Sequence, residues 1–183
     1  MVNYKLKPNE LTLVALTTAI TCILGPFAFA LPFSPIPFTL GLLGVFLATF
    51  LLGARLGTIS CLIYLLVGTV GLPVFSGFTG GIAAPLGPSG GYLLGYLFIP
   101  VCCFPFRKLK TSQFLRVLPG ALLGLLFCYL CGTFWLSYQL GISFTQAFLI
   151  GSLPYIPFDM IKLFVAYFSA NTTRKRLAKA GLY

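Results

Sequence analysis

Six apolar runs divide this chain, and almost no charge interrupts them. They cover 11–25, about 38–52, about 58–70, about 92–106, 117–138, and a last run that starts around Pro154–Pro157 and ends near Ala170. The runs are continuous rather than alternating, which fits membrane-spanning helices and not the strands of a membrane barrel. Charged residues make up 8% of the chain, against about 25% in a soluble domain. So few could not cover a water-facing surface. The expected fold is all-α: one integral membrane domain over 1–183, with six transmembrane helices and very little mass outside the bilayer.

The positive charges sort by side. Lys5 and Lys7 precede the first run, and Arg55 lies in the second connection. Arg107, Lys108, Lys110 and Arg116 lie in the fourth, and Arg174, Lys175, Arg176 and Lys179 follow the last run. The first, third and fifth connections carry none. Eleven of the twelve Lys and Arg residues therefore alternate with uncharged connections, the pattern of the positive-inside rule. Both termini are expected on the cytoplasmic side. The formal net charge of +10 is explained by this bias, so no nucleic-acid partner is expected.

The uncharged connections have unusual compositions. The first, 26–37, holds Leu31-Pro32-Phe33-Ser34-Pro35-Ile36-Pro37; proline removes backbone donors, so a stiff non-helical segment is expected. Ala28-Phe29-Ala30 after a basic start has the look of a signal-cleavage site, but the run before it is long enough to be a first span. The third connection, 71–91, holds seven glycines and three prolines. Glycine lets a backbone approach a ligand closely, and so apolar a loop reads as a lid or binding loop. Nowhere does G-x-x-x-x-G-K-[ST] occur, so no nucleotide-phosphate loop is visible. Gly53-Ala54-Arg55-Leu56-Gly57 reads as a tight turn. The six cysteines fall in or beside apolar runs and the chain has no His. Cys128-Tyr-Leu-Cys131 therefore lacks the further ligands a zinc site needs, and the thiols read as small buried hydrophobes.

Against this background Asp159 and Lys162 stand out. The chain has two acidic residues, and Asp159 is the one inside an apolar run. An ionisable residue within a span is costly and marks a functional site by default. Three residues apart, the two share a helix face. With a helix start near Pro157, Lys162 lies roughly 7–8 Å below it, short of the midplane and on the uncharged side. A cation beside a helix N-terminus can seat a carboxylate, and Asp159 can accept a ligand N–H; mutual neutralisation is the other reading. In the first run, Ala15 and Ala19 lie four apart on one face. Such a pair allows close approach of another helix, inside the bundle or from a partner.

Several stretches together resemble the BioY family of biotin transporters, the substrate-binding S-components of energy-coupling-factor (ECF) transporters. They are Pro35-Ile36-Pro37-Phe38-Thr39-Leu40, Leu51-Leu52-Gly53-Ala54-Arg55-Leu56-Gly57, the loop from Gly71-Leu72-Pro73-Val74-Phe75-Ser76 to Gly87-Pro88-Ser89-Gly90-Gly91-Tyr92, and Tyr155-Ile156-Pro157-Phe158-Asp159-Met160-Ile161-Lys162. The resemblance covers nearly the whole chain. It implies a six-helix S-component fold in a bacterial-type plasma membrane and high-affinity biotin capture at the outer face. It also implies uptake powered by ATPase subunits through a membrane T-component, with no cofactor and no catalysis in this chain. By the same resemblance, Asp159 would meet the ureido ring and Lys162 the valerate carboxylate. Phe75, Gly77, Phe78, Gly80 and Gly81 would cover the ligand, with Thr39 and Tyr92 beside it. Ala15 and Ala19 would dock the T-component. The family pattern carries Gln after P-F-T-L where this chain has Gly41, so one amide contact is lost or replaced by backbone or water.

Three other readings compete. A thiamine or riboflavin S-component would use the same scaffold, though a cationic vitamin calls for more acids than this chain offers. A solitary facilitator would work without ATPase partners. An intramembrane enzyme would need a nucleophile–base pair or metal cluster, for which a chain without His and with one intramembrane acid is poorly equipped.

Overall fold

The computed structural model describes residues 7–32, 34–108 and 112–179; Lys5 and Lys110 of the charge pattern lie outside them. Helix α1 spans Pro8–Leu24. It begins with Pro8, whose missing N–H costs nothing there, and Glu10 accepts from the Lys7 backbone N–H at 2.9 Å. Its inward side is Leu13, Val14, Thr17, Thr18 and Thr21, and Thr17 and Thr18 hydrogen-bond Ser60 across the bundle. The Pro-rich connection is non-helical, as expected. Its ends form a short antiparallel pair, β1 (Ala28–Phe29) and β2 (Phe38–Thr39), in register Ala28↔Thr39 and Phe29↔Phe38.

Helix α2 covers Gly41–Val70 and holds two of the expected spans. They are joined by a kink at Gly53 alone, with φ 79° and ψ −175°. A left-handed φ of that kind favours glycine, and helix resumes at once. The five-residue turn expected at 53–57 therefore shrinks to one residue. The 71–91 stretch is less irregular than its composition implies: a 3₁₀ turn at Ser76–Phe78 is followed by α3 (Ala83–Leu86).

The fourth span is assembled from pieces. Helices α4 (Gly90–Gly95) and α5 (Phe98–Val101) and a 3₁₀ turn at Pro105–Lys108 make up an apolar rod, Gly90–Arg107. Helix α6, Gln113–Leu140, passes through Pro119 without a break and ends at Gly141, φ 64°. The uncharged fifth connection is partly helical: α7 spans Phe144–Gly151, and its start is fixed by reciprocal Ser143–Gln146 bonds. A 3₁₀ turn at Leu153–Tyr155 then leads into α8, Ile156–Lys179.

Four stretches, Gly41–Val70, Gly90–Arg107, Leu115–Leu140 and Phe144–Lys179, are long and apolar enough to cross a membrane, with Pro8–Leu24 a shorter apolar helix. With Gly41–Val70 divided at Gly53, six helical rods result. Their shared core runs from Phe46, Phe50 and Tyr64 on α2 through Ile99 and Leu125 to Leu163 and Ala166 on α8. Many large apolar side chains point outward, among them Leu66, Phe134 and Phe168, which is the surface a bilayer requires. The chain is a multi-pass membrane protein.

Candidate functional site

The polar centre is built on the first turns of α8. Pro157 sits at the helix start, where proline is tolerated, and Asp159 lies in the first turn, where the helix dipole favours a negative charge. Asp159 and Lys162 are 4% and 6% exposed. Their partnership is direct: Lys162 Nζ stands 2.8 Å from Asp159 Oδ1. The second carboxylate oxygen is also held, accepting from the Tyr129 hydroxyl at 2.7 Å. Lys162 Nζ lies 3.8 Å from the Phe38 ring centroid, a cation–π contact supplied by β2. Three elements (α8, α6 and the β hairpin) thus fix one ion pair.

This pair forms part of the wall of a cavity of ≈ 280 Å³. Ile36 and Thr39 come from the hairpin region, Tyr64 from α2, Tyr92 and Tyr96 from the fourth span, and Tyr129 from α6. The walls are mostly apolar and aromatic with a few placed polar groups, the usual make-up of a small-molecule site. Tyr64, Tyr92 and Tyr155 are tied down by hydrogen bonds. Tyr64 donates to the Val74 carbonyl at 3.3 Å, and Tyr155 donates to the Ile36 carbonyl. The Tyr92 hydroxyl shares a buried cluster with Ser152 (2.9 Å) and Thr133 (3.4 Å), which are 2.8 Å from each other. Thr39 bonds the Gly25 carbonyl and the Gly41 N–H, so its hydroxyl is already engaged.

Of the residues expected at the site, Asp159, Lys162, Phe75, Thr39 and Tyr92 meet around this cavity. Gly77, Phe78, Gly80 and Gly81 are not in its wall, and the expectation that they touch the ligand is revised to a role in shaping the loop. Gly77 (φ 69°) and Gly81 (φ 86°) take left-handed backbone conformations, and their N–H groups bond the Pro26 and Gly68 carbonyls at 3.0 and 2.8 Å. Any side chain at Gly80 would collide with the Leu72 carbonyl. Phe78 turns outward, 65% exposed, against Phe27. These contacts hold Phe75, Ser76 and Thr79 against the cavity.

Gly41 is close-packed. A Cβ there would lie 3.3 Å from the Tyr64 hydroxyl, so a phenol stands near where the family pattern carries an amide. Sequence reasoning passed over Tyr129, Tyr155, Tyr64 and Tyr96. The available signal was a phenol in the middle of an apolar run, away from the membrane interface where Tyr usually collects; Tyr129 in 117–138 is the clearest case. Ala15 and Ala19 are both exposed on α1, on the side away from its bundle contacts. Packing inside the chain's own bundle is therefore not their role.

A partly open, aromatic cavity with an ion pair in its wall, inside a bundle of membrane helices, defines a membrane protein that captures a small polar-ended molecule. The BioY family model matches residues 1–179. The probable biotin transporter BioY of Pyrococcus horikoshii is 40% identical over 91% of this chain and 96% of its own length. The biotin transporter BioY of Lactococcus lactis is 40% identical over 93% of each. The crystal structure of the S-component for biotin from an ECF-type ABC transporter superposes with a TM-score of 0.83 at 36% identity, over 93% of this chain and 95% of that one. The chain belongs to the BioY family, which is a transporter family and not an enzyme family.

Proposed function

We propose that this protein is the biotin-binding S-component of an ECF-type transporter in the bacterial plasma membrane, capturing biotin from the outer side. The observation that carries the reading is the Asp159–Lys162–Tyr129 cluster at the wall of an aromatic cavity. Biotin offers two ureido N–H donors beside one carbonyl acceptor, and a carboxylate at the far end of a valerate chain. The cluster presents an acceptor and a donor side by side, which matches the ureido group.

The expected division of labour, Asp159 to ureido and Lys162 to carboxylate, fits the geometry poorly. The two side chains are 2.8 Å apart, whereas a fused ring pair and the whole valerate chain separate biotin's two ends. A carboxylate beside this pair would also make two anions share one buried lysine, costly where charges are poorly solvated. We therefore assign both residues to the ureido end, with Asp159 accepting its N–H groups and Lys162 donating to its carbonyl. The valerate carboxylate then points toward the loop that follows α2.

Energy would come from partner chains: a T-component and ATPase subunits. Ala15 and Ala19, exposed and four apart on α1, are the proposed docking face, and the Lys and Arg distribution supports a cytoplasmic side for both termini. The test is ligand identification. Protein purified from cells grown with biotin, then denatured, should release biotin in near-stoichiometric amount by mass spectrometry. Release of another vitamin, or of nothing with no binding on titration, rejects the reading.

A further inference from the structure

Among the described residues, one fully enclosed hydroxyl has no hydrogen-bond partner, and it lies at the cavity. Ser60, Thr133 and Ser152 are buried and each is hydrogen-bonded. Ser76 is among the residues lining the cavity, yet its Oγ is enclosed and without a hydrogen-bond partner. Leaving a buried hydroxyl unpaired costs about 1–3 kcal/mol, and an orphan of this kind in a folded protein calls for an explanation such as a ligand. Three bonds pin the backbone around it. The Phe75 N–H bonds the Thr79 carbonyl at 3.0 Å, the Ser76 carbonyl accepts from Thr79 Oγ1 at 2.9 Å, and the Gly77 N–H bonds Pro26. These bonds hold the turn, and the Ser76 hydroxyl is left without a partner at the cavity wall.

We propose that Ser76 is a specificity-determining donor for the ligand's carboxylate. The inference rests on the biotin reading above and adds to it the group that reads the far end. Among the described residues the one cation in the cavity wall is Lys162, and Asp159 already neutralises it. A ligand carboxylate must then be met by neutral donors away from that pair. Ser76 provides one with no competing partner to displace, and Thr79 and Ser89 line the same cavity. A position next to exposed Thr79 also leaves the carboxylate partly hydrated, which lowers the cost of binding it without a matching charge.

The test titrates the purified full chain with biotin and with an analogue whose side chain ends in a methyl group instead of the carboxylate. In Ser76→Ala, biotin should bind about tenfold more weakly and the methyl analogue unchanged, which also shows that the variant is folded. Without ligand, Ser76→Ala should melt no lower than the wild type, since the lost hydroxyl had no partner. Unchanged biotin binding, an equal loss for both ligands, or a lowered melting temperature overturns the Ser76 assignment and leaves the biotin reading standing. A wild type that binds neither ligand overturns both.

Discussion

The two ends of the cavity are made differently. The α8 end is a set of side chains satisfied by each other: both Asp159 oxygens are taken, by Lys162 and Tyr129, before any ligand arrives. The loop end is a set of backbone bonds holding a turn, with the Ser76 hydroxyl left over. Helices supply the first because an i, i+3 spacing places two side chains on one face whatever else happens. A loop can supply the second because left-handed glycines at 77 and 81 fix its path without side-chain help. The contrast separates two tasks. The helical end is preorganised, so little ordering is left to be done on binding. The loop end holds its path by backbone bonds and meets the ligand with a hydroxyl that has no partner before binding.

The largest test of this contrast is Lys162→Ala. Removing one partner of a buried ion pair leaves Asp159 uncompensated, an effect of about 3–5 kcal/mol, and takes away the donor to the ureido carbonyl. Biotin affinity should fall at least about a hundredfold by calorimetric titration. Wild-type binding by this variant would remove the pair from the site altogether. Tyr129→Phe comes next. It removes a hydrogen bond to a charged acceptor, worth about 1.5–3 kcal/mol, without altering shape. Binding should weaken at least about tenfold, with the loss shared by biotin and its methyl-ended analogue. A loss confined to the carboxylate ligand would reverse the orientation assigned to the cavity.

Much of the helical end was legible in the sequence. A lone acid and a lysine three residues apart in an apolar run, behind Pro154 and Pro157, locate a site because nothing else in a membrane span explains their cost. Neither tyrosine partner nor cavity wall could be read that way. Tyr129 reaches Asp159 from thirty positions earlier in the chain, and no local spacing encodes such a contact. The loop end was legible only as composition. Seven glycines in 71–91 announce a backbone with special conformations but do not say which residues face inward, and the glycines expected to cover the ligand turn out to shape the turn instead. The kink at Gly53 was likewise visible as a break, while its length depended on one glycine's φ. The fifth connection was legible only as uncharged; the Ser143–Gln146 pair that starts α7 is a capping signature within it.

A smaller effect should come from the clasp between the two ends. Trp135 Nε1 donates to the Gly87 carbonyl at 2.8 Å, and Gln139 donates to the Leu86 carbonyl at 2.6 Å, both from α6 to the C-terminal end of α3. Trp135 is the only tryptophan in the chain, so its emission reports on this clasp. Biotin addition should shift that emission if the loop end rearranges on binding. Trp135→Phe removes the N–H donor at a cost of about 1 kcal/mol and should speed biotin release by about fivefold in stopped-flow exchange, with little change in association. An emission unmoved by biotin, together with an unchanged release rate, would make the loop end as rigid as the helical one.

The smallest effect on binding is expected on α1, and its value lies in that. Ala15 and Ala19 face away from the bundle, while Leu13, Val14, Thr17, Thr18 and Thr21 face into it. A tryptophan at either alanine therefore adds bulk where nothing in this chain is displaced, and both ends of the cavity should bind biotin as before. Uptake into cells is a different quantity, since it needs a second helix to approach this face, and small residues are what permit that approach. Ala15→Trp and Ala19→Trp should each retain wild-type affinity and lose most biotin uptake in cells that hold the partner subunits. Loss of binding in these variants would mean that α1 couples to the cavity through Thr17, Thr18 and Ser60. Uptake at the wild-type rate in both would remove the docking role from this face.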